Sequence, residues 1–393
     1  MCLYKRSLST PPNSTTMGTQ AEANARFLRL VKGDSGGLHV TASQVRSMLL
    51  ENTLTAAGPS AGTATIDINA LGGKYHNETP LTVAIEASNL AVARVLIEFG
   101  AECNPLPIPL RPAVSPLYRA MRQQLNGIEM MRLLLANGAS TTAIEHAGMT
   151  CLHLVSVLYY IENPQERLQL LFDYIKPNEL QRLLSSRGSE GETPLMVAIK
   201  NSDTLYQSRG VLAKMLMDAG DSGLELRNIW GWTPMMICIH ALRNDPYNDQ
   251  FQAGPFVLGE LLRHGAITDT QVISSMHGDI ENIGNTALHE AARWGWAVWW
   301  PIHRDKRWAL ELLLDAGADP NVRNNDGHTP SQLTDVHRVL DVFTTFEAKM
   351  EVRRAKCVAF AMGHHARVGE GSSVERLTPD SLKLVIFNVL ERM

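Results

Sequence analysis

The sequence predicts an all-α solenoid, in which helix-turn-helix units stack side by side, β-turn fingers join them, and a helical extension follows at the C-terminal end. Three observations predict it. The first is a recurring opening: Thr79-Pro80-Leu81, Ser115-Pro116-Leu117, Thr150-Cys151-Leu152-His153, Thr193-Pro194-Leu195, Thr233-Pro234-Met235, Thr286-Ala287-Leu288-His289 and Thr329-Pro330 all begin alike. The second is their spacing of roughly 35 to 53 residues, the period of a stacked array rather than of one globular core. The third is a leucine-rich segment ending in glycine that follows most openings, as in Ala93–Ala101, Met131–Ala139, Lys214–Gly220 and Leu258–Ala266.

Each element has a physical reason. A Thr or Ser before a helix accepts a hydrogen bond from a backbone N–H that has no partner inside the helix. Proline beside it sits where the helix needs no donor. The leucine that follows reaches the space between the two helices of the unit. Glycine after the second helix takes the left-handed conformation that ends it. The stretch Gly284–Asn321 holds the whole unit, interrupted by a Trp-rich insertion. Such a unit cannot bury its apolar face alone, so it requires neighbours of its own kind.

These residues resemble the ankyrin repeat, whose signature is Thr-Pro-Leu-His, a Leu-Leu-Leu helix and Gly-Ala-Asp-x-Asn. The resemblance covers about residues 66–343. It implies an ankyrin-repeat solenoid of about seven repeats that binds proteins and carries no cofactor. It also implies that His153 and His289 tie their turns together by hydrogen bonds rather than bind metal. Asn69, Asn104 and Asn321 stand in the slot after the second helix. In ankyrin proteins this Asn can be hydroxylated by an oxygenase, which the resemblance extends to these three as a hypothesis. Two departures from the pattern stand out: Phe172–Lys176 replaces the Gly-Ala closure of the third unit, and Gly327–Leu333 reads as a truncated terminal unit.

In chain order, residues 1–20 read as a flexible leader with Lys5, Arg6 and Pro11-Pro12 and no acid; a transit peptide has a similar composition. Residues 21–65 read as a degenerate capping pair. Its helices over Ala21–Lys32 and Thr41–Asn52 present Phe27, Leu28, Leu30 and Val31, then Val45, Met48, Leu49 and Leu50. Residues 66–343 form the array, with Met130, Met131, Met215, Met217, Met235 and Met236 expected in the core. Residues 344–393 form the extension: a helix over Phe343–Met362 with a basic turn at Arg353, Arg354 and Lys356, a break at Gly363–Gly371, and a second helix.

Thirty-six basic against forty acidic residues give a net charge of −4, so no footprint for nucleic-acid phosphates is present. No apolar run reaches membrane-spanning length. Five cysteines without metal-like spacing point to a reducing compartment, cytoplasmic or nuclear. The sequence shows no phosphate loop, nucleophile elbow or metal-ligand cluster, so no catalytic residue, cofactor or metal is expected.

All seven tryptophans lie between Trp230 and Trp308. Trp230 and Trp232 flank the turn glycine Gly231. Trp294 ends an inner helix, and Trp296, Trp299, Trp300 and Trp308 lie in or beside the insertion. Tryptophan anchors are enriched where proteins bind proteins. Trp230, Trp232, Trp294, Trp296, Trp299 and Trp300 are therefore candidates for a partner surface; packing of the insertion on itself is the structural alternative. The insertion Asn244–Gly254 stands as a second wall of the same surface or as a solvated loop. At the C-terminal end, Leu377, Pro379, Leu382 and Ile386 are similar to the opening of an F-box. That likeness implies a second role, as substrate receptor or adaptor of a cullin-type ubiquitin ligase; a capping helix is the alternative.

Overall fold

The computed structural model describes residues 14–32, 40–56, 66–72, 78–104, 115–143, 148–157, 162–201, 208–220, 223–244, 253–273, 283–293 and 307–368. Among these residues the regular structure is helical, apart from one isolated antiparallel bridge between Gly72 and Glu78. The chain divides into two compact units, residues 1–267 and 268–393.

The first unit holds thirteen described helices: α1 (Ser14–Lys32), α2 (Ala42–Ala56), α3 (Pro80–Glu86), α4 (Leu90–Glu98), α5 (Pro116–Met121), α6 (Gly127–Ala136), α7 (Cys151–Val157), α8 (Pro164–Tyr174), α9 (Pro177–Leu184), α10 (Pro194–Lys200), α11 (Ser208–Asp218), α12 (Pro234–Asn244) and α13 (Ala253–Arg263). Apart from α9 they pack as two rows. The inner row runs α1, α3, α5, α7, α10, α12, and the outer row α2, α4, α6, α8, α11, α13. The short inner helices are almost wholly buried: six of the seven residues of α3, and likewise of α10, lie in the core. Outer helices bury one face only, as Val92, Ala93, Val95 and Leu96 do in α4.

The sequence punctuation acts as its chemistry dictates. Thr79 Oγ1 accepts the Thr82 amide at 3.2 Å, Ser115 Oγ accepts Tyr118 N–H at 3.1 Å, and Thr193 Oγ1 accepts Met196 N–H at 3.3 Å. Gly138 closes α6 at φ +81°, and a Cβ built there would meet nothing within 4 Å, so conformation and not crowding selects glycine.

Adjacent repeats are also sewn together by polar groups. His153 Nδ1 lies 2.9 Å from Thr150 Oγ1, and its Nε2 lies 3.0 Å from the Glu192 carbonyl of the following finger. His153 thus ties its turn to the next finger, as its sequence position predicts. Asn69 donates to the Gly100 carbonyl and accepts the Glu102 amide. Asn104 does the same with Gly138 and Ser140.

Unit two holds α14 (Ala287–Arg293), α15 (Arg307–Asp315), a 3-10 turn (Pro330–Leu333) and α16 (His337–Val368). Here α14 packs on α15 and on the 3-10 turn, and α15 packs on α16. His289 repeats the bonds of His153, with Nδ1 2.8 Å from Thr286 Oγ1 and Nε2 3.0 Å from the His328 carbonyl. The truncated last repeat is a single 3-10 turn, packed on α14 and touching α16.

At Phe172–Lys176, where the Gly-Ala closure is missing, α8 ends at Tyr174, Ile175 turns into extended backbone, and Pro177 starts the additional helix α9. Three expectations are corrected. The helix assigned to begin at Ala21 starts at Ser14, inside the supposed leader. The expected break at Gly363 does not occur, and α16 continues to Val368. A lone glycine costs a helix only about 1 kcal/mol, and no proline is near to stop it. Met215 is half-buried, whereas the other five methionines named above are in the core.

Candidate partner-binding face

The finger that precedes α12 is a tight turn. Gly231 N–H donates to the Asn228 carbonyl at 2.9 Å, and Asn228 N–H donates to the Trp232 carbonyl at 3.0 Å. Asn228 Oδ1 accepts the Trp230 amide at 3.1 Å and the Trp232 amide at 3.0 Å. One buried side chain therefore fixes both tryptophan backbones. The finger before α10 has the same plan, with Gly191 N–H on the Gly188 carbonyl and Gly188 N–H on the Glu192 carbonyl, each at 2.9 Å. Ile229 N–H donates to the Glu190 carbonyl at 3.1 Å and ties the two fingers to each other. At the tip, Ile229 is 61% exposed.

Register explains which side chains meet. Trp230 stands where Glu190 stands one repeat earlier, and Trp232 where Glu192 stands. Lys200 and His240 share the position six residues beyond the proline that opens each inner helix. Lys200 Nζ lies 3.0 Å from Glu190 Oε2, 3.0 Å from Glu192 Oε1 and 5.6 Å from the centroid of the Trp230 ring. His240 and Trp232 meet edge to face, with centroids 4.7 Å apart.

The electrostatics follow from burial. Glu192 is only 7% exposed, and that burial raises its pKa, while the Lys200 ammonium pulls it back down. Partial burial works against the charge on Lys200, yet the hydrogen bonds to Glu190 and Glu192 outweigh it and hold the lysine above its ordinary range. The result is a polar and aromatic face whose members have fixed backbones.

Trp230 and Trp232 thus lie side by side on one finger, half-buried against their own chain rather than fully in solvent. Trp294, Trp296, Trp299 and Trp300 lie outside the described residues, as do most of the insertion 244–254 and the F-box-like residues Leu377, Pro379, Leu382 and Ile386. Trp308 is half-buried on α15. Sequence reasoning missed Glu190, Glu192, Lys200 and His240. The signal was present in the repeat register, which puts them in the positions equivalent to the tryptophan finger and its helix.

A second cluster joins the outer helices α11 and α13. His264 Nε2 lies 3.0 Å from Asp218 Oδ1, and Glu260 lies within the same group. Both carboxylates already hold cations. Lys214 lies 2.8 Å from Asp218 and 3.3 Å from Glu260, and Arg263 lies 3.1 and 2.7 Å from the same two. A hydrogen bond from Lys214 lowers the pKa of Asp218 first of all, and one from Arg263 does so for Glu260. A divalent ion would have to enter beside two fixed positive charges, so the cluster is a strap between repeats. In the second unit, a pocket of about 90 Å³ lies between α15 and α16, lined by Arg307, Glu311, Asp341, Phe346 and Lys349 among others. Small-molecule sites occupy about 300–1,000 Å³, well above that size. Among the described residues, no helix is long and apolar enough to cross a membrane.

Comparison with known proteins gives a consistent family. The ankyrin-repeat family model matches residues 283–325. The B-cell lymphoma 3 protein homolog of Mus musculus is 27% identical over 266 residues, 67% of this chain and 50% of that protein. Its Homo sapiens counterpart is 28% identical over 268 residues, 67% of this chain and 49% of that protein. The chain therefore spans about half the length of these curated relatives. The neurogenic locus notch homolog protein 1 of Mus musculus is 29% identical over 116 residues, 29% of this chain and 4% of that protein. Among solved structures, the ankyrin repeat domain of Bcl-3, described as a member of the IkappaB protein family, superposes with TM-score 0.50 at 25% identity. The match covers 68% of this chain and 98% of that domain.

Proposed function

Because this chain is an ankyrin-repeat protein, we propose that it is a non-catalytic scaffold that holds a protein partner along its inner helices and finger tips. Ankyrin-repeat domains generally mediate protein–protein interaction, and stacked repeats offer extended surfaces made of many modest contacts. The reading assigns residues 21–65 to a capping pair, 66–343 to the repeat array and 344–393 to a helical extension. Within it, Trp230 and Trp232 are the anchors, with Ile229 at the tip between them and the preceding finger.

The observation that carries this is the aromatic finger itself. Two tryptophans and an isoleucine stand together where the equivalent finger has Glu190 and Glu192, on a turn whose backbone is already fixed. Rigid, partly exposed aromatics bind at low entropic cost and dominate interface energies. Trp294, Trp296, Trp299 and Trp300 are kept as further partner-binding candidates on their sequence alone.

The test is affinity purification from native material with wild-type protein and with Trp230→Ala/Trp232→Ala. The expected result is a stoichiometric protein partner lost from the variant, with a melting temperature close to that of wild type. Undiminished capture by the variant would overturn the aromatic finger as anchor. Co-purifying cullin components would replace the scaffold reading with that of a ligase receptor.

A further inference from the structure

Lys200 bonds to the carboxylates of one finger and lies over the indole of the next. Its ammonium group meets two carboxylates at 3.0 Å and an indole face at 5.6 Å. Those are the groups with which proteins recognise a cationic side chain: two anionic acceptors and an aromatic wall. The seat is rigid. His153 Nε2 and the Gly188 amide hold the Glu192 carbonyl, and Asn228 holds the Trp230 amide.

The two partners in the seat differ in what they lose on separation. The Lys200 side chain is 46% exposed and ends a helix, so its ammonium can swing into water and regain hydration. The Glu192 side chain is 10% exposed and cannot. A buried carboxylate deprived of its cation is strongly disfavoured. The site therefore demands a cation, but not this particular one.

We propose that Lys200 fills, in the free chain, the seat of a basic side chain of the protein partner, and that binding exchanges Lys200 for an arginine presented by that partner. The proposal rests on the reading of this face as the partner surface and names the partner's chemistry there. Arginine fits better than lysine. Its planar fork can bridge Glu190 and Glu192 together while its face stacks on Trp230, whereas an ammonium is a single point charge. The displaced Lys200 then lies beside the newly seated segment. It favours an acidic residue next to the arginine and disfavours runs of basic residues.

The test uses the full chain and N-acetyl-arginine amide as probe, followed by the indole N–H signal of Trp230 in NMR, assigned by its loss in Trp230→Phe. Lys200→Met vacates the seat. The expected result is probe binding about tenfold tighter than in wild type, a gain removed by adding Glu190→Gln, with N-acetyl-aspartate amide giving no response. If Lys200→Met proves unfolded by circular dichroism, Lys200→Gln, which keeps a polar chain without charge, carries the same comparison. Equal binding by wild type and the vacated variant, or a gain that survives Glu190→Gln, overturns the proposal and leaves Lys200 as a clamp between fingers. The two readings fail separately. Partner capture that survives Trp230→Ala/Trp232→Ala removes the partner surface, whereas a probe indifferent to Lys200 removes the cation seat.

Discussion

Arg167 is 2% exposed on α8, and its guanidinium donates to the carbonyls of Met121, Gln123 and Glu162, at 3.3, 2.8 and 3.3 Å. The Met121 carbonyl ends α5 and Gln123 lies just beyond it, where a cation also meets the negative end of the helix dipole. Burial lowers the pKa of the group, and Glu129 and Glu166 offset part of that. Arg167→Met leaves these acceptors without their donor, at an expected loss of about 2–4 kcal/mol. A urea midpoint unchanged from wild type would contradict it. The buried histidines give a pH signature. Burial lowers the pKa of His153 and His289, and the carbonyl bonds offset it only in part. Above the ordinary value of 6.5 both rings are neutral whether the chain is folded or not, so they add no pH dependence there. As pH falls below it, the unfolded chain takes up protons first, and stability drops toward the folded-state values. Melting temperature should therefore fall as pH drops below about 6.5, and less steeply in His153→Asn/His289→Asn.

At the scale of elements, one substitution has opposite signs at two glycines. Gly138 ends α6 at φ +81° in open space, so Gly138→Ala has only conformational strain to bear, about 1–2 kcal/mol of destabilisation. Gly259 lies inside α13, again with nothing within 4 Å of an added Cβ. Gly259→Ala should stabilise by about 0.5–1 kcal/mol through the entropy of the unfolded chain. Denaturant titration of both variants checks the pair; a shared sign would show that the helix ends are not where the structure has them. Most of this level was legible in the sequence. Thr79, Ser115 and Thr193 cap the helices they were expected to cap, because an N-cap is decided within four residues. Helix α9 was not legible. The Pro177 that opens it follows the stretch that lacks the Gly-Ala closure, and Leu183 and Leu184, both buried, are what hold a helix there.

At the scale of the whole molecule, each row is only as stable as its ends. In the first unit α1 covers α3 and α2 covers α4, through Phe27, Leu28, Val31, Val45 and Leu49, all buried. Each such side chain contributes about 1.5–3 kcal/mol when removed from water. Deleting residues 14–56 should expose the apolar faces of α3 and α4 and drive self-association, visible by size-exclusion chromatography with light scattering. A monodisperse, fully helical product would show that α3 and α4 need no cover. What the chain determined by itself was the repeat: caps, core leucines and closing glycines are local requirements, restated often enough to survive individual departures. What only the tertiary structure decided was which repeats' side chains meet. Glu192, Lys200 and Trp230 are separated by up to 38 residues (230 − 192) and belong to two fingers and one helix end. They converge because stacking converts a distance of one period along the chain into contact between neighbours, which no local pattern encodes.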